Sequence, residues 1–358
     1  MDIGELRKII EDCGIVGAGG AGYPTHLKMD ARANIILLNC AECEPLLQTD
    51  QHLMATYTDE IISALDAIAA VLNARVIIAV KETHKEALAA MEGKTSASMQ
   101  MVVLEDAYPA GDEVLLINEA CGVVVPPGTF PIDSGFIVLN VETVLNIYYA
   151  LRDNQPVTHK WVTIAGEVSK PAVVRMEIGV TVEHAVDQAG GATVENPVYI
   201  SGGPMMGTIT AATDAVKKTT NAIIVLPQNH SLARKSSPQI ALNRVASACC
   251  QCRSCTDMCP RYLLGYPIEP HKIMRSLAAR SADTTAFEGV LYCCGCGICE
   301  KIACPQSLSP CSLMKQFKDA MAKEGIRPRK QQPAPISTAR QYRKVSSNRL
   351  KTRLGVWE

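Results

Sequence analysis

The chain has 358 residues, 47% hydrophobic and 20% charged, with a formal net charge of −1. This composition excludes a disordered chain and gives no global pull toward nucleic acid or anionic lipid, and the length suffices for two or three domains with real cores. Fifteen cysteines follow a start, MDIGELRKII, that has neither the basic region nor the long apolar run of a secretory leader. That points away from disulfides and toward metal or redox chemistry.

Residues 2–13 place Ile3, Leu6, Ile9, Ile10 and Cys13 at helical spacing. A glycine loop follows at 14–26, and ANIILLNCAECEP (33–45) reads as a buried strand ending in polar residues. Residues 59–72 read as a helix, 75–80 as a strand, 83–92 as a helix and 99–106 as a strand. Helical spacing resumes at 111–122, and 135–151 gives a strand turning into a helix. This alternation predicts an α/β fold with a mostly parallel sheet. The window 61–80 is the most membrane-like, but Asp66, Asn73 and Arg75 interrupt it, so a helix running into a strand is expected rather than a membrane span. Beyond Pro156 the pattern predicts two short strands, a Lys-Pro turn and a short helix from Val182 to Gln188, a compact α+β unit. Residues 240–325 are cysteine-rich and mainly helical by pattern. The expected domains are therefore 1–155, 156–215 and 238–325. The segment 326–358 follows, and 327–358 holds nine Lys/Arg against one acid. A solvated linker is the favoured reading of that tail over a nucleic-acid arm.

The glycine loop contains Gly17-x-Gly19-x-x-Gly22. A dinucleotide fingerprint must leave a strand and enter a helix, whereas here a helix precedes it, so that reading is rejected. Four glycines (Gly17, Gly19, Gly20, Gly22) within six residues still favour a phosphate-holding loop over a tight helix–helix turn, with Lys28 placed to neutralise the anion.

Ten of the fifteen cysteines lie between Cys249 and Cys304. One comb is Cys249-x2-Cys252-x2-Cys255-x3-Cys259-Pro260; the other is Cys293-x2-Cys296-x2-Cys299-x4-Cys304-Pro305. Three thiolates on one tight turn can hold three irons of a cubane, and the fourth iron takes the last cysteine of the other comb. The spacing thus assigns one [4Fe–4S] cluster to Cys249, Cys252, Cys255 and Cys304, and a second to Cys293, Cys296, Cys299 and Cys259. Cys250, Cys294 and Cys311 are spares by spacing. The alternative is a pair of zinc sites, which the Cys-Pro endings disfavour.

GAGGAGYPTHLK resembles the flavin loop of the NADH-binding subunit of respiratory complex I. NCAECEP, AYPAGDEVLLI and LNVETVLNI follow in that family's order, and 160–207 is similar to its β-grasp domain of the soluble-ligand-binding (SLBB) type. The two appended ferredoxin combs resemble the arrangement in the peripheral, cluster-carrying subunit of the Rnf complex. A flavin domain at the first residue is most similar to the cobalamin reductases of propanediol-utilisation microcompartments.

The resemblance implies a Rossmann-like flavin domain of the complex I type, then the β-grasp domain, then a helical ferredoxin-type domain with two [4Fe–4S] clusters. It implies FMN held by Gly17, Gly19, Gly20 and Gly22, with Lys28 near the phosphate and Asn39, Glu42, Gly111, Asp112, Asn140 and Thr143 lining the flavin. Tyr23 falls where a ring stacks on nicotinamide; Glu44 and Glu113 fall where carboxylates contact NADH. The family's lysine before its Pro-Pro-Phe stretch is absent from VPPGTF (125–130), which weakens NADH more than FMN.

The implied activity passes electrons from NADH through FMN and both clusters to cobalamin, regenerating adenosylcobalamin for diol breakdown. The implied location is the cytoplasm, inside a bacterial microcompartment. Adenosyltransferase and shell proteins are the implied partners, with no nucleic acid and no membrane insertion. DQHLMA (50–55) lacks the glycine of a corrinoid-binding Asp-x-His-x-x-Gly motif, so cobalamin rests on resemblance alone. Two other readings remain open: an Rnf-like subunit exchanging electrons with ferredoxin, and a non-catalytic relay or shell-docking module.

Overall fold

The apolar run that begins at Ile35 forms β1 (Ile35–Cys40), the strand around which the first sheet is organised. In the computed structural model, which describes residues 1–233, 237–279 and 284–357, β1 lies between two parallel neighbours. A strand covered on both faces reads as continuous apolar sequence rather than alternation, as Ile36, Leu37 and Leu38 do.

Ahead of it stands α1 (Ile3–Asp12), started by a capping box in which Asp2 accepts from the Glu5 amide at 2.9 Å and Glu5 accepts from the Asp2 amide at 3.0 Å. After β1 come α2 (Thr49–Thr56), α3 (Thr58–Leu72), β2 (Arg75–Lys81), α4 (Lys85–Met91), β3 (Met99–Leu104), α5 (Glu113–Cys121), β4 (Phe136–Asn140) and α6 (Val141–Asp153). The membrane-like window is divided between α3 and β2 by Asn73, whose φ of 52° stops the helix. Among the described residues no helix is long and apolar enough to cross a membrane. Helix α2 escapes sequence reading because its mix of polar and apolar residues shows no helical stripe.

The strand order is β3-β2-β1-β4, all parallel. The chain therefore moves outward from β1 to β3 and returns to pair β4 on the opposite edge of β1. Open parallel sheets bind ligands beyond the strand C-termini, where the order reverses. That point lies between β1 and β4, with Asn39 paired to Asn140 in the register.

A second sheet follows: β5 (His159–Gly166), β6 (Ala172–Glu177), α7 (Val182–Asp187), β7 (Val198–Ser201), β8 (Thr208–Thr210) and β9 (Ala222–Leu226), in the order β6-β5-β9-β7-β8. Its core gathers Val162, Ile164, Val186, Val216, Ile223 and Val225. The sheet runs past the expected limit at residue 215, because the fully buried run AIIVL pairs parallel with β5. Nor does Pro156 separate compact units. The first unit, Met1–Val123, Phe130–Ala233 and the described residues after Gly355, contains both sheets. They are tied by the buried Lys160–Glu142 ion pair and by a 2.8 Å hydrogen bond between the hydroxyls of Thr49 and Thr163.

The second unit holds Val124–Thr129 and the described residues of Arg234–Gly355. Its helices are α8 (Pro238–Ala248), α9 (Ser254–Asp257), α10 (Pro260–Leu263), α11 (Pro270–Ala279), α12 (Thr284–Glu288), α13 (Pro310–Lys323) and α14 (Ser347–Leu354). Residues 280–283, inside the expected ferredoxin domain, lie outside the described residues. The basic tail differs from a solvated linker: Val345 and Leu350 are 0% exposed and Leu354 is buried, so apolar residues anchor it while Arg327, Lys330, Arg349 and Arg353 are exposed. The Val124–Thr129 excursion is held within this unit, where the Tyr266 hydroxyl donates to the Val125 carbonyl at 2.6 Å and the Gln331 amide to that of Pro127 at 3.0 Å.

Two outcomes follow from buried charge. Lys160→Met strands the carboxylate of Glu142, and removing one partner of a buried pair costs ~3–5 kcal/mol. Urea denaturation should show that loss, and adding Glu142→Gln should recover most of it. His84 is 5% exposed with Nδ1 unpartnered. Burial, with Lys81 nearby, lowers its pKa from 6.5 to about 4. The neutral ring's contribution is complete above pH 6.5 and lost as pH falls toward about 4, a cost of ~3 kcal/mol. His84→Gln should therefore show a shallower acid loss than wild type; an identical acid profile would contradict this placement.

Candidate functional site: a glycine cradle and two thiol cavities

The loop after α1 closes on itself. The Gly17 amide donates to the Tyr23 carbonyl at 2.8 Å, and the Gly22 amide to that of Gly17 at 3.1 Å. Gly20 has a φ of +113°, a conformation side chains rarely adopt, and a Cβ there would meet nothing within 4 Å. A Cβ on Gly19 would lie 3.4 Å from Asn140, so the loop rests against the end of β4. The neighbouring Ala18 amide donates to Thr143 Oγ1, in the first turn of α6, at 3.0 Å.

Asn140 caps α6, accepting from the Glu142 amide at 3.0 Å, while its Nδ2 donates to both oxygens of Asp50 at 2.9 and 3.0 Å. Across the register, Asn39 donates to the Gly111 carbonyl at 3.0 Å and accepts from the Ala41 amide at 3.1 Å. Gly111 can pack there because it has no Cβ, which would approach the Ala41 carbonyl to 3.1 Å. Asp112 caps α5 by accepting from the Leu115 amide at 3.2 Å. Glu42 receives the Asp50 amide at 3.2 Å. The glycines, Asn39, Glu42, Gly111, Asp112, Asn140 and Thr143 thus meet at the strand ends where the topology reverses.

Three of the expected residues are otherwise engaged or set apart. Lys28, on a 3-10 turn over Thr25–Lys28, donates to Glu113 at 2.6 Å and to the Val138 carbonyl at 3.0 Å, which uses two of its three ammonium donors and joins the expected phosphate and nicotinamide residues in one ion pair. Glu44 accepts the amides of Met205 and Met206, each at 2.8 Å, and Gly203 packs against it with no room for a side chain. Its carboxylate holds the β-grasp loop, which no short-range sequence pattern reveals. Tyr23 is 46% exposed at the loop.

These residues fit a flavin mononucleotide. Open space beside a left-handed glycine admits a phosphate that a Cβ would exclude, and the strand ends offer amide, hydroxyl and carboxylate partners.

In the second unit the combs fold alike. Gln251 and Arg253, two and four residues after Cys249, have φ of 54° and 66°; Gly295 and Gly297, at the same offsets from Cys293, have 73° and 77°. One cavity is lined by Cys249, Cys250, Cys252, Cys255 and Cys304, the other by Cys259, Cys293, Cys294, Cys296, Cys299 and Cys311. The last cysteine of each comb therefore sits with the other comb. Burial raises the Cys255 thiol to about 12, and Cys259 is also raised, chiefly by burial. The thiols of each set surround a cavity, the layout a polynuclear cluster requires. Sulfur-only donors fit iron–sulfur clusters.

Sequence reasoning missed the place of Cys311, whose thiol hydrogen-bonds with Cys293 and Cys299, and Asp50, whose role comes from Asn140 across the sheet. A cysteine beside a proline, Pro310-Cys311 at the start of α13, was the available cue for the first; nothing local marks the second.

Cys304→Ala should remove the same cluster as Cys252→Ala, leaving the other intact. Iron and sulfide counts with electron paramagnetic resonance test this; loss of different clusters in the two variants would reverse the pairing.

Comparisons with known proteins agree with this architecture. Residues 10–149 match the Nuo51 FMN-binding domain, 161–209 the SLBB domain and 248–309 the 4Fe-4S dicluster domain. The chain is 38% identical to the cobalamin reductase PduS of Citrobacter freundii, over 99% of this chain and 80% of that protein. It is 34% identical to a subunit of the Na(+)-translocating ferredoxin:NAD(+) oxidoreductase complex of Acetobacterium woodii, over 74% of this chain and 59% of that one. An air-oxidised NAD+-reducing [NiFe]-hydrogenase shares the fold, with a TM-score of 0.60 at 17% identity, over 99% of this chain and 66% of the hydrogenase chain. An FMN-binding domain and a dicluster domain in one polypeptide make it an iron–sulfur flavoprotein of electron transfer. The chain belongs to the family of the PduS cobalamin reductases.

Proposed function

We propose that this chain is an NADH-dependent reductase that delivers single electrons to cobalamin, supporting regeneration of adenosylcobalamin in 1,2-propanediol degradation. The observation that supports it most is the joining of a glycine cradle at a topological switch point to two thiol cavities in one chain, in a family that carries the cobalamin reductase name. Bound FMN accepts an electron pair and releases electrons singly, and [4Fe–4S] clusters carry them one at a time.

The chain's own residues supply binding and orientation. Gly17, Gly19, Gly20 and Gly22 admit the phosphate, and Lys28 supplies positive charge while anchored to Glu113. Asn39, Glu42, Gly111, Asp112, Asn140 and Thr143 shape the flavin crevice, and the exposed ring of Tyr23 offers a stacking face to nicotinamide. Glu44 contributes by fixing the loop that carries Met205 and Met206. Cys249, Cys252, Cys255 and Cys304 hold one cluster, and Cys259, Cys293, Cys296 and Cys299 the other. The division into a flavin, a β-grasp and a dicluster domain remains part of this proposal, with the second sheet carried on to Leu226 and the tail packed through Leu354. So do a setting inside a microcompartment and contact with an adenosyltransferase and shell proteins.

A second reading is favoured by the 34% identity to the ion-translocating complex: electron exchange with ferredoxin. Oxygen-free protein reconstituted with FMN, iron and sulfide separates the two. The proposal expects NADH to bleach the flavin and cob(III)alamin then to be reduced. Reduction of ferredoxin with cobalamin left oxidised favours the second reading; failure of NADH to reduce the flavin defeats both. Lys28→Glu should bind flavin at least tenfold more weakly, because reversing a charge beside a phosphate removes more than ~1.4 kcal/mol. Unchanged flavin stoichiometry in that variant would contradict the placement of Lys28.

A further inference from the structure

The two thiol cavities differ in their surroundings. In the first, Cys250 and Cys252 are exposed to water, and the arginine lining the cavity, Arg253, is paired with Asp257 at 3.1 Å. In the second, Cys259, Cys296, Cys299 and Cys311 are all buried. Reduction of a cluster held by four thiolates adds one negative charge to a group that is already anionic. Away from water that added charge is costly, and the same weak screening makes a nearby cation effective.

Helix α13 brings such a cation to the second cavity. Lys318, half-buried in its third turn, donates from Nζ to the Cys293 carbonyl at 2.6 Å. Among the described residues that is its one hydrogen bond, and no carboxylate pairs with it. Cys311, two turns earlier on the same helix, lines the cavity itself. The helix is fixed at its start by Ser312, whose amide and hydroxyl donate to Glu300 at 2.8 and 2.9 Å. Beside Lys318, the ring of Phe317 lies 5.0 Å from that of Phe287. The ammonium is therefore held at the cysteine comb by a helix docked at several points.

Two other charges stand near this cavity. Glu300 follows Cys299 and opposes the lysine, although Ser312 engages both its oxygens. Arg261 also lines the cavity and adds to the lysine, with its guanidinium 4.9 Å from the Tyr266 ring centroid.

We propose that Lys318 is the counter-charge of the second cluster and raises its reduction potential, so that the enclosed site can hold the added electron. The inference rests on the reading that Cys259, Cys293, Cys296 and Cys299 hold this cluster, and not on the identity of the donor or acceptor. One electron enters and later leaves, no bond is made or broken, and Lys318 contributes charge alone.

Potentiometric titration followed by electron paramagnetic resonance tests this. It uses the full chain, reconstituted with FMN, iron and sulfide, in the Cys252→Ala background that retains the second cluster. Lys318→Gln keeps a donor for the Cys293 carbonyl and removes the charge. At the parent's midpoint, its ratio of reduced to oxidised cluster should be about tenfold lower, a downward shift of ~59 mV. Lys318→Arg should stay close to the parent. A midpoint that Lys318→Gln leaves in place, or that both variants lower equally, overturns the proposal. If Lys318→Gln loses the iron, Lys318→Arg decides: a cluster retained at the parent's midpoint upholds the charge role, and loss in both variants overturns it. Loss of both clusters on Cys252→Ala would contradict the ligand assignment instead. The wild-type background then decides, because Lys318→Gln should move one of its two midpoints and leave the other.

Discussion

The pairing of β1 with β4 is the constraint on which the flavin half of this protein depends. It brings two chain segments about a hundred residues apart into parallel register, so that Asn39 and Asn140 end side by side. Each asparagine then uses its amide in both directions, receiving a backbone N–H at its own strand end and donating to a partner brought in from another segment. An asparagine suits this place because one planar group both accepts and donates. The glycine loop leans on Asn140 and Thr143, so its shape is set by β4 and α6 as much as by its own sequence.

Charge taken out of water is the second theme. Lys160 with Glu142 and Lys81 with Asp106 at 2.5 Å each neutralise a partner inside the first unit. Such pairs add little net stability against an apolar replacement, but they leave no tolerance for losing one member. They also fix geometry: the Lys160 pair ties the β-grasp sheet to the helix that presents Thr143 to the glycine loop.

The cluster unit solves a different problem, that of placing many thiols in a small volume without a large apolar core. Left-handed residues at matching offsets in the two combs give each the same turn, with glycines in one and Gln251 and Arg253 in the other. The overall charge of −1 conceals how unevenly charge is distributed: residues 237–355 hold 19 Lys and Arg but only 7 acids. A strongly basic surround favours clusters that carry negative charge, since nearby positive charge stabilises the reduced state.

Everything legible in the residues before folding was local or periodic. The glycine spacing, the apolar runs of β1, β2 and β4, and the two cysteine combs could all be read in short windows, because turn geometry and burial act within a few residues. The exchange of the last cysteine between combs was also legible, since a single turn cannot surround a cubane. Three-dimensional packing alone settled that Glu44 holds the Met205–Met206 loop, that Lys28 meets Glu113, that β9 completes the second sheet, and that the basic tail packs on Val345 and Leu350. Those outcomes depend on which distant groups the sheets bring within hydrogen-bonding or packing distance, and no local pattern encodes them.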